Sequence, residues 1–125
     1  MSDNTVQTGR RAAPRLRLSL PGKFLAVRAT MHCIVTNISQ TGVLMAVEEQ
    51  LKVGEQGYLR CGPIDQFMIV TRREKGFNAL KFDLPVSHQL VLEMRKFQET
   101  LAERDEAELM ETVRSWTQGE NSGRI

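Results

Sequence analysis

The sequence predicts a mainly β fold, an antiparallel barrel or sandwich of short strands, followed by a C-terminal helical segment. Three observations carry this. Leu16, Leu18 and Leu20 alternate with Arg15, Arg17 and Ser19, the period of a half-buried strand, and further short β-rich runs follow. About six such runs recur at roughly 8–14-residue spacing between Gly- and Pro-containing turns, a pattern of all-β domains. After Pro85 the apolar period lengthens to that of a helix.

The elements follow in order. Residues 1–9, Met-Ser-Asp-Asn-Thr-Val-Gln-Thr-Gly, are polar and aperiodic and are expected to form a flexible tail. In Arg10-Arg11-Ala12-Ala13-Pro14-Arg15, Pro14 pushes Ala13 toward extended backbone and argues for an irregular arm. Leu16, Leu18 and Leu20 alternate with Arg15, Arg17 and Ser19 as a first strand. Pro21-Gly22 signals a turn or bulge, after which Phe24 to Val27 continues the strand or begins another. Met31 to Ser39 is β-rich, and Val43 to Val47 answers it across a turn at Asn37–Gly42. Tyr58 to Cys61 is a short strand closed by Gly62-Pro63. Phe67 to Arg72 and Phe77 to Phe82 flank the hairpin signal Glu74-Lys75-Gly76. Phe67, Phe77 and Phe82 are expected to face the core.

Ser87 is a candidate helix cap, and Leu90, Met94, Phe97 and Leu101 form an apolar stripe that should pack on the β layer. A second stripe, Leu109, Val113 and Trp116, follows the capping-type pair Asp105/Glu108. One kinked helix or two abutting ones would satisfy the pattern. The second stripe fits intramolecular packing and a self-association or partner surface equally well. The expected divisions are a tail at 1–9, a domain with its arm at 10–100, a helical extension at 101–116 and a disordered tail at 117–125.

The chain has 125 residues, 41% hydrophobic and 26% charged, enough for one ordinary domain with a real core. No apolar run approaches the ~18 residues of a membrane span. Met1 to Gln7 lacks the apolar centre of a signal peptide, so a cytoplasmic location is expected. Cys33 and Cys61 are the two cysteines, and His32 and His88 the two histidines. Their spacing does not suit a metal site, and the cysteines read as core or rim residues. No nucleophile elbow or phosphate-binding Gly-rich loop occurs, and Glu48-Glu49 reads as solvated surface. No enzyme, metal or cofactor is expected. The net charge is +2, but its distribution is uneven. Residues 1–30 carry six basic side chains against Asp3 alone, whereas residues 86–116 carry seven acidic against four basic. The basic end suits an anionic partner.

What remains is arginine near small polar groups. Arg11 and Arg15 are spaced Arg-x-x-x-Arg, and Asn37-Ile-Ser39-Gln-Thr-Gly42 follows. Arginine offers a planar fork of donors for phosphate or for the O6/N7 edge of guanine. Asn37 and Ser39, two apart on a strand, present an amide and a hydroxyl to one side. Gly42 permits a turn or a close approach. Each signal is common alone. Together and in this order they resemble the PilZ domain, a bacterial cyclic di-GMP receptor, over about residues 10–100. The second motif carries Asn where Asp is commoner.

The resemblance implies a six-stranded antiparallel β-barrel with a C-terminal helix. It implies that Arg11 and Arg15 grip the phosphates and one guanine of cyclic di-GMP from the arm, that Asn37 and Ser39 hold a guanine edge, and that Gly42 leaves room for it. Arg10 would add a third guanidinium, a feature associated with a stacked pair of ligands. It further implies a sensor that orders its arm on binding and signals to an unidentified protein effector in motility or biofilm control, with self-association through the C-terminal helix as an option. Two alternatives stand beside it. A nucleic-acid-binding barrel would use the same arm, but such proteins stack bases on aromatics, and this chain has five Phe, one Tyr and one Trp. A PilZ-like interaction module that binds no nucleotide would not need the intact motifs. Arg72-Arg73 reads as a solvated hairpin edge ahead of a secondary ligand contact.

Overall fold

Each strand gives one face to the inside and one to the outside of a closed sheet. The computed structural model describes residues 15–100 and 103–122, with side chains at 15–100 and 107–118. Six antiparallel strands, β1 (Leu16–Ala26), β2 (Thr30–Ile38), β3 (Gly42–Val47), β4 (Gln56–Cys61), β5 (Ile64–Glu74) and β6 (Phe77–Phe82), close into a barrel in the order β1-β2-β3-β6-β5-β4. This is the barrel, not the sandwich. Closure removes the exposed edges an open sheet of this size would leave. Pro21-Gly22 makes no turn. Both residues lie within β1, paired with Ile34 and Cys33, just ahead of the Lys23–Ala26 stretch that also pairs with β4. They fall where one long strand swings between its two partners.

The interior is filled by Leu20, Phe24, Val35, Met45, Leu59 and Met68, all fully buried. Cys33 and Cys61 lie in the same core as free thiols. Burial pushes the Cys33 thiol up, with Cys61 adding to it, and burial pushes the Cys61 thiol up to about 12. Both are therefore protonated and shielded, and a thiol reagent at pH 8 is expected to label neither until denaturant is added. Rapid labelling of the folded protein would contradict this packing.

Helix α1 (His88–Glu99) closes the barrel end beside the β2–β3 turn, with Val91 and Met94 buried in the barrel core. Ser87 caps it as expected, its side chain accepting from the Leu90 N–H at 3.1 Å. Of the first stripe, Met94 is fully buried and Leu90 packs on the core, but Phe97 stays partly exposed against the Gly62 turn. Leu101 lies outside the described residues. Leu51 plugs the opposite end. Its loop is tied down by Arg28, which donates to Glu55 Oε2 at 2.8 Å and to the Gln50 carbonyl at 3.0 Å.

Helix α2 (Glu103–Ser122) is a separate helix. It begins ahead of the Asp105/Glu108 pair, which therefore does not mark its start. Its stripe packs on the outside of the barrel: Val113 is buried with Ile34 and Ala46, and Leu109, Trp116 and Phe77 pack around them. The helix also runs past residue 116, where a disordered tail was expected. Thr117 is buried, and its hydroxyl donates to the Val113 carbonyl at 2.8 Å. It packs against the β5–β6 turn at Gly76, whose φ is +86° and where a Cβ would meet the Thr117 backbone. That contact holds the helix in register beyond the apolar stripe.

The aromatic expectation is corrected at two of three positions. Phe82 is in the core, but Phe77 lies under α2 on the outer face. Phe67 is also outside, edge-to-face with the half-exposed Tyr58, ring centroids 5.4 Å apart. β5 carries apolar residues on both faces from Phe67 to Val70, and such a run hides its own phase.

Candidate functional site

The β2–β3 turn is fixed before any ligand is considered. The Ser39 N–H donates to the Gly42 carbonyl at 2.9 Å, and the Thr41 N–H donates to Ser39 Oγ at 3.2 Å. The Phe82 N–H donates to the Thr41 carbonyl and the Val86 N–H to the Gln40 carbonyl, at 2.9 and 2.8 Å. Gln40 Nε2 returns a bond to the Val86 carbonyl at 3.0 Å. The turn is thus stapled to the end of β6 and the start of α1. Gly42 has a packing reason to be glycine, because a Cβ there would run into the Leu80 carbonyl oxygen of β6. The close approach is to a neighbouring strand.

This turn rims a groove of about 250 Å³ on the outer face of the barrel. Arg15, Asn37, Ser39 and Gly42 all line it, so the structure brings together the four expected site residues it describes. Arg10 and Arg11 lie outside the described residues. Ser39 is both a turn residue and a wall of the groove. Asn37 is different: its Oδ1 is buried and finds no hydrogen-bond partner among the described residues. A buried amide oxygen left unpaired costs roughly 1–3 kcal/mol, so a donor supplied to it would be stabilising.

The floor and far wall were not legible in the sequence. Register places Asn37 opposite Leu44, Leu44 opposite Ala79, and Ala79 opposite Arg72, one residue from each of β2, β3, β6 and β5. Register shifts on β2 and β5 bring Asn37 and Arg72 into this row. Arg72 is held by Glu74, with Nε and Nη2 at 3.1 and 3.0 Å from Oε1. With Arg15 and Lys81, three cations and no carboxylate line the groove among the described residues. A second hollow of about 370 Å³ shares Asn37 and Leu44 and reaches Arg17 and, on α2, Met110 and Val113. The outer-face row beneath α2 therefore adjoins the groove.

A family model, the PilZ domain, matches residues 9–88, spanning both motifs and all six strands. The chain belongs to the PilZ family. PilZ domains are binding and effector modules for cyclic di-GMP, and this PilZ chain carries the closed barrel with two helices after it. No curated protein matched the sequence. The matched span ends at the first residue of α1, so most of α1 and all of α2 lie beyond it. No helix among the described residues is long and apolar enough to cross a membrane, and no group of His, Cys, Asp or Glu there could hold a metal ion.

Proposed function

We propose that this protein is a cyclic di-GMP sensor whose ligand lies in the Arg15–Asn37–Ser39 groove. The observation that carries the reading is the buried, unpaired Oδ1 of Asn37 on a groove lined by cations. Guanine offers donors and acceptors on its edges, and the ligand's two phosphates match arginine forks. The groove is somewhat smaller than the ~300–1,000 Å³ usual for small-molecule sites. Arg10 and Arg11, the two arginines just ahead of Arg15 in sequence, would supply further contacts from the arm. Binding would then order that arm and change a surface read by a protein effector. The protein acts by binding, without catalysis, and in the cytoplasm.

A nucleic-acid reading is favoured by one observation, the Tyr58–Phe67 pair on the outer face near Lys23 and Arg60. That pair sits on the β4–β5 wall, which does not include the motif turn, so it does not use the residues that define the groove.

Thermal unfolding with and without ligand tests the reading. A ligand at about 100 times its Kd adds about 2.7 kcal/mol, which raises Tm on the order of 10 °C for a domain of this size. Asn37→Leu is expected to abolish the shift while leaving the ligand-free Tm equal or higher, because it removes the unpaired oxygen. A wild type whose Tm does not respond, or an Asn37→Leu that keeps the full shift, would contradict the assignment.

A further inference from the structure

The groove has two ends, and the sequence motifs account for one. Asn37, Leu44, Ala79 and Arg72 follow one another across four strands. Measured along the curved sheet at about 4.8 Å per strand, the path from Asn37 to Arg72 is about 14 Å. Between them the floor is Leu44, half-buried, and Ala79, a methyl group almost flush with the sheet. This is an apolar strip with an amide at one end and a guanidinium at the other. A larger side chain at 79 would stand up in its middle. Glu74 occupies the Nε–Nη2 edge of Arg72, and Nη1 has no partner among the described residues.

Resting on the cyclic di-GMP reading of the same groove, we infer that Leu44 and Ala79 form a shelf for a ligand base and that Arg72 reads that base's edge from the far end. A base lying flat on the shelf turns its edge toward Arg72, and the O6 and N7 of guanine are paired acceptors matched to a guanidinium. Adenine puts an amino donor where guanine has O6, so Arg72 discriminates between them. Ala79 contributes by being small. Glu74 fixes the direction of the fork, an exposed ion pair worth little to stability. Arg72 is thus a specificity residue on β5, outside both motifs. Arg72, one of the hairpin arginines that the sequence favours as a solvated edge over a secondary ligand contact, lines this groove.

The test is a calorimetric titration of cyclic di-GMP and, separately, cyclic di-AMP into the wild type, Arg72→Ala, Ala79→Leu and Arg73→Ala, each checked for folding by its thermal melt. Loss of a charged base contact is expected to weaken cyclic di-GMP about 10- to 100-fold in Arg72→Ala and to narrow its preference over cyclic di-AMP. Ala79→Leu is expected to weaken both dinucleotides about tenfold or more by filling the shelf. Arg73→Ala, the neighbouring cation, should stay within about threefold of wild type, since it lies outside the groove. Wild-type binding with Arg72→Ala unchanged in affinity and preference overturns the inference and leaves the site reading intact. No binding by any folded variant or by the wild type overturns both. The exposed Arg72 variant keeps the test decisive if Ala79→Leu fails to fold.

Discussion

Arg15→Ala is expected to weaken cyclic di-GMP binding about 30- to 150-fold, the equivalent of about 2–3 kcal/mol for one charge-assisted, forked contact. Arg15 is exposed immediately before β1 and lines the groove beside Asn37 and Ser39. Its removal takes nothing from the core, so the ligand-free melting curve should not move. Arg15→Lys keeps the charge and loses the fork, and should recover only part of the affinity. Affinity unchanged in Arg15→Ala, measured by calorimetry, would place the ligand elsewhere.

Val113→Asp is expected to cost about 3 kcal/mol or more by burying a carboxylate against the apolar Ile34 and Ala46. Val113 is 3% exposed between Ile34 and Ala46. The barrel core is a separate cluster inside the sheet, so the damage should be local. Trp116, the single tryptophan, packs beside Val113 and reports on α2 directly. Its emission should shift to the red as α2 leaves the sheet, while the β signal in far-ultraviolet circular dichroism persists. Simultaneous loss of both signals, or neither changing, would contradict an independently docked helix.

The strands were legible as short β-rich runs between turn signals, and a period of two survives in residues such as Leu18/Leu20 and Met68/Val70. Ser87 was legible because a cap is a local arrangement. The groove-lining residues Arg15, Asn37, Ser39 and Gly42 were legible because they fall in two short motifs. The row that joins Asn37 to Arg72 was not. It is made by pairing between β2, β3, β6 and β5, strands up to about forty positions apart, with two register shifts that no local pattern announces. Phe67 was misread for a related reason: apolar residues on both faces of β5 leave the inside undetermined until its partners are known. The α2 stripe was legible as a stripe, but its partners Ile34 and Ala46 sit among alternating residues whose outer face a soluble barrel would normally leave polar. Only the covered surface reveals why they are apolar.

The most direct test of the central claim is a calorimetric titration of cyclic di-GMP into the wild-type protein, with GTP and a short single-stranded oligonucleotide as competitors. The account predicts saturable binding that neither competitor displaces, with a stoichiometry of one or of a stacked pair per chain. A folded protein that gives no heat with cyclic di-GMP, or that binds the oligonucleotide in its place with steep salt dependence, would contradict it.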